Sequence, residues 1–581
     1  MKAICLVKQV PALGSIEFDE ETKSLKREGV PLELNAYDRY AVQYARQLAD
    51  EVVVMTMGPP QAEEALREAL GLGADRAIHL SDRVFALADT IGTSRTLALA
   101  IRKEGADLVL CGRKALDSET WQLPPQVAAF LGWPHLLSIS ALQRSGDGLR
   151  LTRETDFGHD VYEAELPLVV SVGRPLEDAP TRSGGDEIVV WQATDLVDDL
   201  RPNDKRFGQT GSPTRVLAVR DARPERAGIR AESAQEAASR VRELLADRAP
   251  EESSWDKPEH IADEPGASYD CWTVCELVDG RHRRVSLELI ARSRNLAGKL
   301  GGRAVALLIG HDLDGAMQEA ARHGAEVVYT VDDPALADYH PELWAEVLRR
   351  VLAEHLPRVV LVPATGRGRD YGPRAAGDLE LGMTADCVGV DIAKAGRLLQ
   401  QKPAYGGNIV SVILGATTPQ LATVLPRMYE PLQPRDFDTE IRRLDLGALP
   451  EPKVRLVERK RDCASYELDE KDVVVGVGPT VQPDVLAAIE ATDAALAGTR
   501  EACAAGLVEP TRQVGLLGRP VAPRLYIGIG VGDDLEHWGG VVEARVIVSV
   551  GEETPDEVDV SVSGDARDLL PILLDSIRSP G

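Results

Sequence analysis

The stretch of this sequence best suited to chemistry is QVGLLGRPVAPRLYIGIGVGDDLEHWGG, residues 513–540. A glycine turn with Gly515 and Gly518, an apolar strand-like run over 525–529 and a second glycine turn with Gly530 and Gly532 form the layout of a nucleotide pocket. In such a pocket, backbone N–H groups cradle phosphate without needing side chains. The spacing G-x-G-x-G over 528–532 supports that reading weakly, because glycine after a strand is common. The second turn continues into Asp533, Asp534 and Glu536, where donors are expected. Bare phosphate facing uncompensated carboxylates is electrostatically unfavourable. The segment therefore reads as a nucleotide-type backbone whose side chains oppose phosphate. No paired acid and base, serine elbow or nucleophile constellation accompanies it, so no catalytic residue is assigned.

Alternating elements must position this loop. Short apolar runs at 3–7, 51–55, 76–79 and 107–111 alternate with helix-spaced segments at 37–48, 62–70 and 91–104. The same grammar restarts near Trp272, with strands expected at 273–277, 304–308, 327–331 and 359–362 and helices at 286–300 and 341–355. A third unit begins at 473–478, with a helix expected over 484–497 and a strand over 545–550. This alternation predicts an α/β chain of Rossmann-like, doubly wound parallel sheets, in which two related units precede a C-terminal α/β domain. The Pro-, Ser- and charge-rich stretch near 249–268 reads as a linker and the region near 447–462 as a seam. The expected domains are 1–248, 269–446 and 454–581.

With 581 residues and 44% hydrophobic content the chain can bury several cores, and a net charge of −27 opposes binding to nucleic acid or anionic membranes. No apolar segment is long enough to span a bilayer, so the chain is not expected to be membrane-embedded. The N-terminus reads as a first strand, not a leader. Seven cysteines, mostly far apart, fit a reducing cytoplasm. Cys271 and Cys275 form the one near pair; with no matching Cys/His cluster they read as structural, and no metal is assigned.

The order of motifs resembles a known family. LVKQVP (6–11), NAYDRYA (35–41), MGPPQAEEALREALGLGADRAIHL (57–80) and GRKALDSETWQLPPQVAAFLGWP (112–134) resemble the β subunit of electron-transfer flavoproteins. GRGRDYGPRAAGDLELGMTADCVGVDI (366–392), KPAYGGNIVSVI (402–413) and AGTREACAAGLVEPTRQVG (497–515) are similar to the α subunit. The resemblance implies a fused chain, β half first, with FAD between a swivelling C-terminal domain and the β half. It also implies a redox carrier between a partner dehydrogenase and a downstream acceptor.

Residue by residue, the resemblance places Arg500 beside the flavin ring, where a permanent guanidinium raises the first reduction potential. Thr499 keeps a hydroxyl next to it. Gln513, Val514, Gly515 and Gly518 keep the frame of a Q-V-G-Q-T-G turn whose middle pair is here Leu516 and Leu517. Gly530 and Gly532 follow the strand. His537 matches a histidine at the pyrimidine edge, although a lone histidine beside Trp538 more often serves packing. The family's S-G-A-I-Q-H is G-D-D-L-E-H here.

In the β half the resemblance implies an AMP site at Asn35, Tyr37, Met57, Ala115, Asp117 and Gln122. Ser118, Trp121 and Leu123 replace polar members of its loop, so Trp121 filling the nucleotide space is an equal alternative, and a second FAD fits these substitutions poorly. GRPLEDAPTRSGGDE (173–187) stands where the family's docking segment is expected, pointing to a dedicated partner. Two further readings stay open: a flavin-free relative acting as interaction or scaffold subunit, and an AMP-binding module.

Overall fold

A computed structural model describes residues 1–12, 17–19, 24–26, 30–176, 183–221, 225–250, 252–261, 269–461, 465–552 and 555–578. Residues 177–182 of the expected docking segment, and 251 and 262–268 of the expected linker, lie outside these.

The first sheet is centred on Lys2–Leu6, a run flanked in parallel by Glu51–Met57 and Leu108–Gly112. Outward from this centre the order on one side is Glu51–Met57, Arg76–Leu80 and Ile188–Trp191; on the other it is Leu108–Gly112, Leu168–Val172 and His135–Ser145. The second sheet repeats that order around Cys271–Cys275. Ala304–Gly310, Val327–Asp332 and Glu440–Arg443 lie to one side, and Val359–Pro363, Gln420–Val424 and Met383–Cys387 to the other. Central strands such as Leu108–Gly112 and Val359–Pro363 are buried along their whole length, as expected of parallel strands covered by helices on both faces. Helix ends follow local chemistry. Asp89 caps Thr90–Glu104 by accepting the Gly92 amide at 2.9 Å, and Gly105 ends that helix at φ 74°. The two sequence-related units are thus one topology used twice.

The third sheet runs Ile229–Ala231, Val560–Val562, Val546–Val550, Leu525–Ile529, Val473–Val477 and Ala495–Gly498, all parallel. One correction concerns its edge. The helix expected over 484–497 is Pro483–Glu490, and the strand Ala495–Gly498 follows. Thr492 divides them: its hydroxyl donates to the Ile489 carbonyl at 2.6 Å and accepts the Ala494 amide at 3.1 Å, which turns the chain.

Segments also cross between units. Val454–Lys460 adds to the first sheet, antiparallel to Gly158–Ala164. Thr214–Asp221 pairs with Ile409–Gly415 in a four-stranded sheet shared by the two halves. Ile229–Ala231 and the helix Ala234–Asp247 complete the third unit, with Val241 and Leu245 in one core with Leu570 and Leu573. The six described cysteines are free thiols; Cys271 and Cys275 are buried together on a central strand. Among the described residues no helix is long and apolar enough to cross a membrane.

Candidate functional site: a cleft between the third and first units

In the third sheet, Val473–Val477 is flanked by Ala495–Gly498 on one side and Leu525–Ile529 on the other, so the strand order reverses there. Ligands of open α/β sheets bind in the crevice at such a point, outside the carboxyl ends of the strands. Gly478 and Gly530 meet there. The Gly478 amide donates to the Ile529 carbonyl at 2.9 Å, and a Cβ on Gly478 would stand 1.8 Å from the Gly530 carbonyl oxygen. Gly530 and Gly532 take positive φ of 64° and 67°. Gly528, the first glycine of G-x-G-x-G, serves packing instead: a Cβ would lie 2.4 Å from the Trp538 ring.

The expected flavin residues gather round this crevice. Thr499 is buried; its hydroxyl accepts the Ala502 amide at 3.1 Å and caps the short helix Arg500–Ala504. Arg500 leaves that helix with its side chain 53% exposed, its Nη2 3.0 Å from Glu501 and its Nε 3.8 Å from Glu536. The Val514 amide donates to Gly498 at 3.1 Å, which fastens the 513–518 turn to the edge strand. Gln513 is buried, donating to the Leu517 carbonyl at 3.0 Å and accepting Arg174 of the first unit at 3.0 Å. Gly518 is closed over the turn, where a Cβ would stand 2.5 Å from the Gln513 carbonyl.

The acidic residues have local tasks. Asp534 accepts the His537 amide at 3.1 Å and caps Leu535–Trp538. Glu536 accepts the Leu517 amide through its carboxylate at 2.9 Å and the Leu516 amide through its carbonyl at 2.8 Å. It thereby occupies donors of the 515–518 turn. A Cβ on Gly515, at φ 141°, would lie 2.7 Å from that carboxylate. Burial raises the pKa of both Asp534 and Glu536. The amides of Val531, Gly532 and Asp533 donate to no protein group among the described residues.

His537 is placed differently from the other expected residues. It is fully buried, its Nε2 2.5 Å from the Tyr526 hydroxyl and its ring packed against Trp538. Burial lowers its pKa to about 4, leaving it neutral. A Cβ on Gly476 would stand 1.8 Å from that Tyr526 hydroxyl, so glycine in the strand makes room for the pair.

Across from the third unit, a helix of the first unit closes a cleft of about 890 Å³ lined by Tyr37, Tyr40, Tyr44, Arg500, Gln513 and Leu517. Tyr40 and Tyr44 are contributors the motif comparison missed. Their signal lay in the spacing, since positions 37, 40 and 44 share one helical face. Tyr37, expected at a nucleotide in the β half, lines this cleft. Its hydroxyl accepts Arg113 Nη2 at 2.8 Å, and Arg113 also donates to the Gly518 carbonyl at 2.9 Å across the unit boundary.

The other residues expected at AMP are engaged with protein partners. Asn35 is buried, donating to the Lys114 carbonyl at 3.0 Å and accepting the Leu116 amide at 3.2 Å. Lys8 forms an ion pair with Asp117 at 2.7 Å. Gln122 accepts the Thr90 hydroxyl at 2.9 Å. The Ala115 carbonyl accepts the Glu119 amide at 2.8 Å, and Met57 packs on the core around Ile4 and Ile78. Trp121, at φ 60°, turns its ring toward Arg113, Lys114 and Arg369.

Fold and cleft together define a class: a twice-used doubly wound unit carrying a third α/β unit with a nucleotide-type crevice. Comparison with known proteins makes the class specific. The electron transfer flavoprotein domain model matches residues 22–196 and again 271–449, and the electron transfer flavoprotein FAD-binding domain model matches 467–542. Electron transfer flavoprotein subunit alpha of Thermoanaerobacterium thermosaccharolyticum is 32% identical over 53% of this chain and 98% of its own length. Subunit beta of the same organism is 37% identical over 39% of this chain and 91% of its own length. The caffeyl-CoA reductase-Etf complex subunit CarD of Acetobacterium woodii is 38% identical over 37% of this chain and 86% of its own length. The chain belongs to the electron-transfer flavoprotein family, with β-like and α-like portions fused in that order.

Proposed function

We propose that this chain is an electron carrier that binds FAD in the cleft between its third and first units and relays electrons from a partner dehydrogenase or reductase to an acceptor. The observation that carries the reading is the half-exposed Arg500 guanidinium facing Tyr37 and Tyr40 across a cleft of about 890 Å³ at the sheet's switch point. That volume suits a cofactor, and aromatic walls suit a planar ring. The open amides of Val531, Gly532 and Asp533 are the donors left for phosphate.

When bound, FAD supplies the electron-accepting ring. Arg500 would hold positive charge beside it, the tyrosines would exclude water, and the turn around Gln513, Val514, Gly515 and Gly518 would fix the third unit's side of the cleft. Thr499 orients Arg500 by capping its helix, and His537 supports the loop through Tyr526. We take the moving body to be residues 465–578 together with the arm 229–247, which shares its core. A dedicated donor fits the unusual 173–187 segment, and names such as the caffeyl-CoA reductase complex indicate the kind of partner to try.

A second reading, a flavin-free interaction subunit, is favoured by one observation: Glu536 occupies the Leu516 and Leu517 amides. An AMP-binding role has less support, because Asn35, Asp117 and Gln122 already have protein partners in Lys114, Lys8 and Thr90. The visible spectrum of the purified protein, followed by denaturation and identification of released small molecules, separates the three. One FAD per chain supports the carrier. Colourless protein that stays so after FAD incubation rejects it, and AMP released from colourless protein indicates the third role.

A further inference from the structure

Behind the cleft, where all three units meet, lies a second cavity of about 300 Å³. Glu154, Arg174, Pro510 and Gln513 belong to the walls of both. In a chain of net charge −27 its wall carries eight arginines and one lysine against five carboxylates. Five of these arginines are matched: Arg174 by Glu154 at 2.8 Å, Arg369 by Asp386 at 2.9 Å, Arg459 by Asp160 at 2.8 Å, Arg461 by Asp279 at 2.8 Å and Arg519 by Asp469 at 2.9 Å.

Arg113, Arg367 and Arg153 are not fully matched; Arg113 reaches the Tyr37 hydroxyl and the Leu517 and Gly518 carbonyls but no carboxylate among the described residues. Arg367 forms no ion pair among the described residues; it donates to the Leu277 carbonyl at 3.2 Å and lies over the rings of Phe157 and Tyr339 at 4.7 and 5.3 Å. Arg153, only 3% exposed, gives Nη2 to Asp370 at 2.7 Å. Asp370 is already shared with His135 and Tyr339, and Arg153 Nε and Nη1 have no protein partner. Arg153 also lies over Tyr339, at 5.6 Å, so the two guanidiniums share one aromatic neighbour. Buried donors of a cation left without acceptors are costly, more so than neutral ones. A planar guanidinium fork matches an oxyanion in two-point contact.

We infer that this inner cavity is a binding site for a phosphate-class oxyanion, held between Arg153 and Arg367. The rings of Trp121, Phe157, Tyr339 and Trp344 leave an aromatic wall for the body of a small phosphomonoester. Because Gln513, Gly518 and Arg519 of the third unit line the same space, an occupant bridges the flavin-type unit to the other two.

The test is calorimetric titration of the FAD-saturated protein, at constant ionic strength, with inorganic phosphate and with phenyl phosphate. Saturable binding weakened about tenfold or more in Arg367→Gln, and partly restored in Arg367→Lys, is the expected result. Tighter binding of phenyl phosphate assigns the site to a phosphomonoester; equal affinity assigns it to free phosphate. Absence of saturable binding, binding indifferent to Arg367→Gln, or release of FAD by the added anion overturns the inference. Arg153→Gln serves as the second variant, with circular dichroism as its folding control; unchanged affinity in a folded Arg153→Gln protein also overturns it.

Discussion

The carboxylate of Glu536 sits 2.9 Å from the amide of Leu517, in the glycine turn that faces the cleft. An acid thus satisfies donors that a phosphate-binding turn would otherwise offer, which explains how an acidic loop coexists with a nucleotide-type backbone. Replacing Glu536 with Gln is expected to tighten FAD several-fold, because a negative charge leaves the crevice. The same change weakens a charge-assisted hydrogen bond and should lower stability by about 1 kcal/mol. Flavin fluorescence titration and thermal unfolding of the apoprotein read the two effects separately. Unchanged affinity would remove Glu536 from the flavin site.

Asp559 is fully buried and joins the arm of the first half to the third unit. Arg226 reaches it at 3.0 Å, Arg248 at 2.8 Å, the Ala227 amide at 3.1 Å and the Ile547 amide at 2.9 Å. Removing one side of a buried ion pair costs about 3–5 kcal/mol because the remaining charges stay desolvated. Asp559→Ala should therefore loosen residues 226–248 and expose them to limited proteolysis before the rest of the chain is cut. Retained protease resistance would mean that the arm is held by its apolar face alone.

Much of this arrangement was legible in the residues. Runs such as Val359–Pro363 are apolar throughout, and repetition of the same alternation near Trp272 revealed a topology used twice. The glycines at 515, 518, 530 and 532 marked the crevice because their conformations or close contacts exclude side chains. Long-range pairing was not legible. Nothing local says that Val454–Lys460 adds to the first sheet or that Ile229–Ala231 completes the third, since strand propensity does not name a partner. The same holds for His537, whose burial against Tyr526 depends on a glycine at 476 in another strand. That Tyr37 lines the cleft was not legible either, because motif order carries no direction.

His537 gives the protein a definite pH dependence. Burial lowers its pKa from 6.5 to about 4. The unfolded chain takes up the proton as pH falls through about 6.5, whereas the folded chain does so only near 4, so the contribution to stability is full above 6.5 and lost across that window. The loss amounts to roughly 3 kcal/mol at about 1.4 kcal/mol per pH unit. His537→Gln should be less stable than the parent at pH 8, and the gap should close between pH 6.5 and 4 in denaturant titrations. A gap independent of pH would show that the imidazole titrates normally in the folded state.

Arg500 is the residue by which the carrier reading stands or falls electrochemically. It is held by the Thr499 cap on one side and faces Glu536 and Tyr40 on the other, with half of its side chain open to the cleft. Its charge is permanent, so it favours whichever redox state of a neighbouring ring carries more negative charge. Arg500→Ala should lower the first one-electron potential of bound FAD by about 60 mV if that preference is about tenfold, and Arg500→Lys should recover part of the shift. Glu501→Gln, which frees the guanidinium from its nearest carboxylate, should move the potential the other way. Spectroelectrochemical titration of the three variants orders them directly. Equal potentials in Arg500→Ala and the parent would place the guanidinium away from the ring and leave Arg500 as a surface residue of a capped turn.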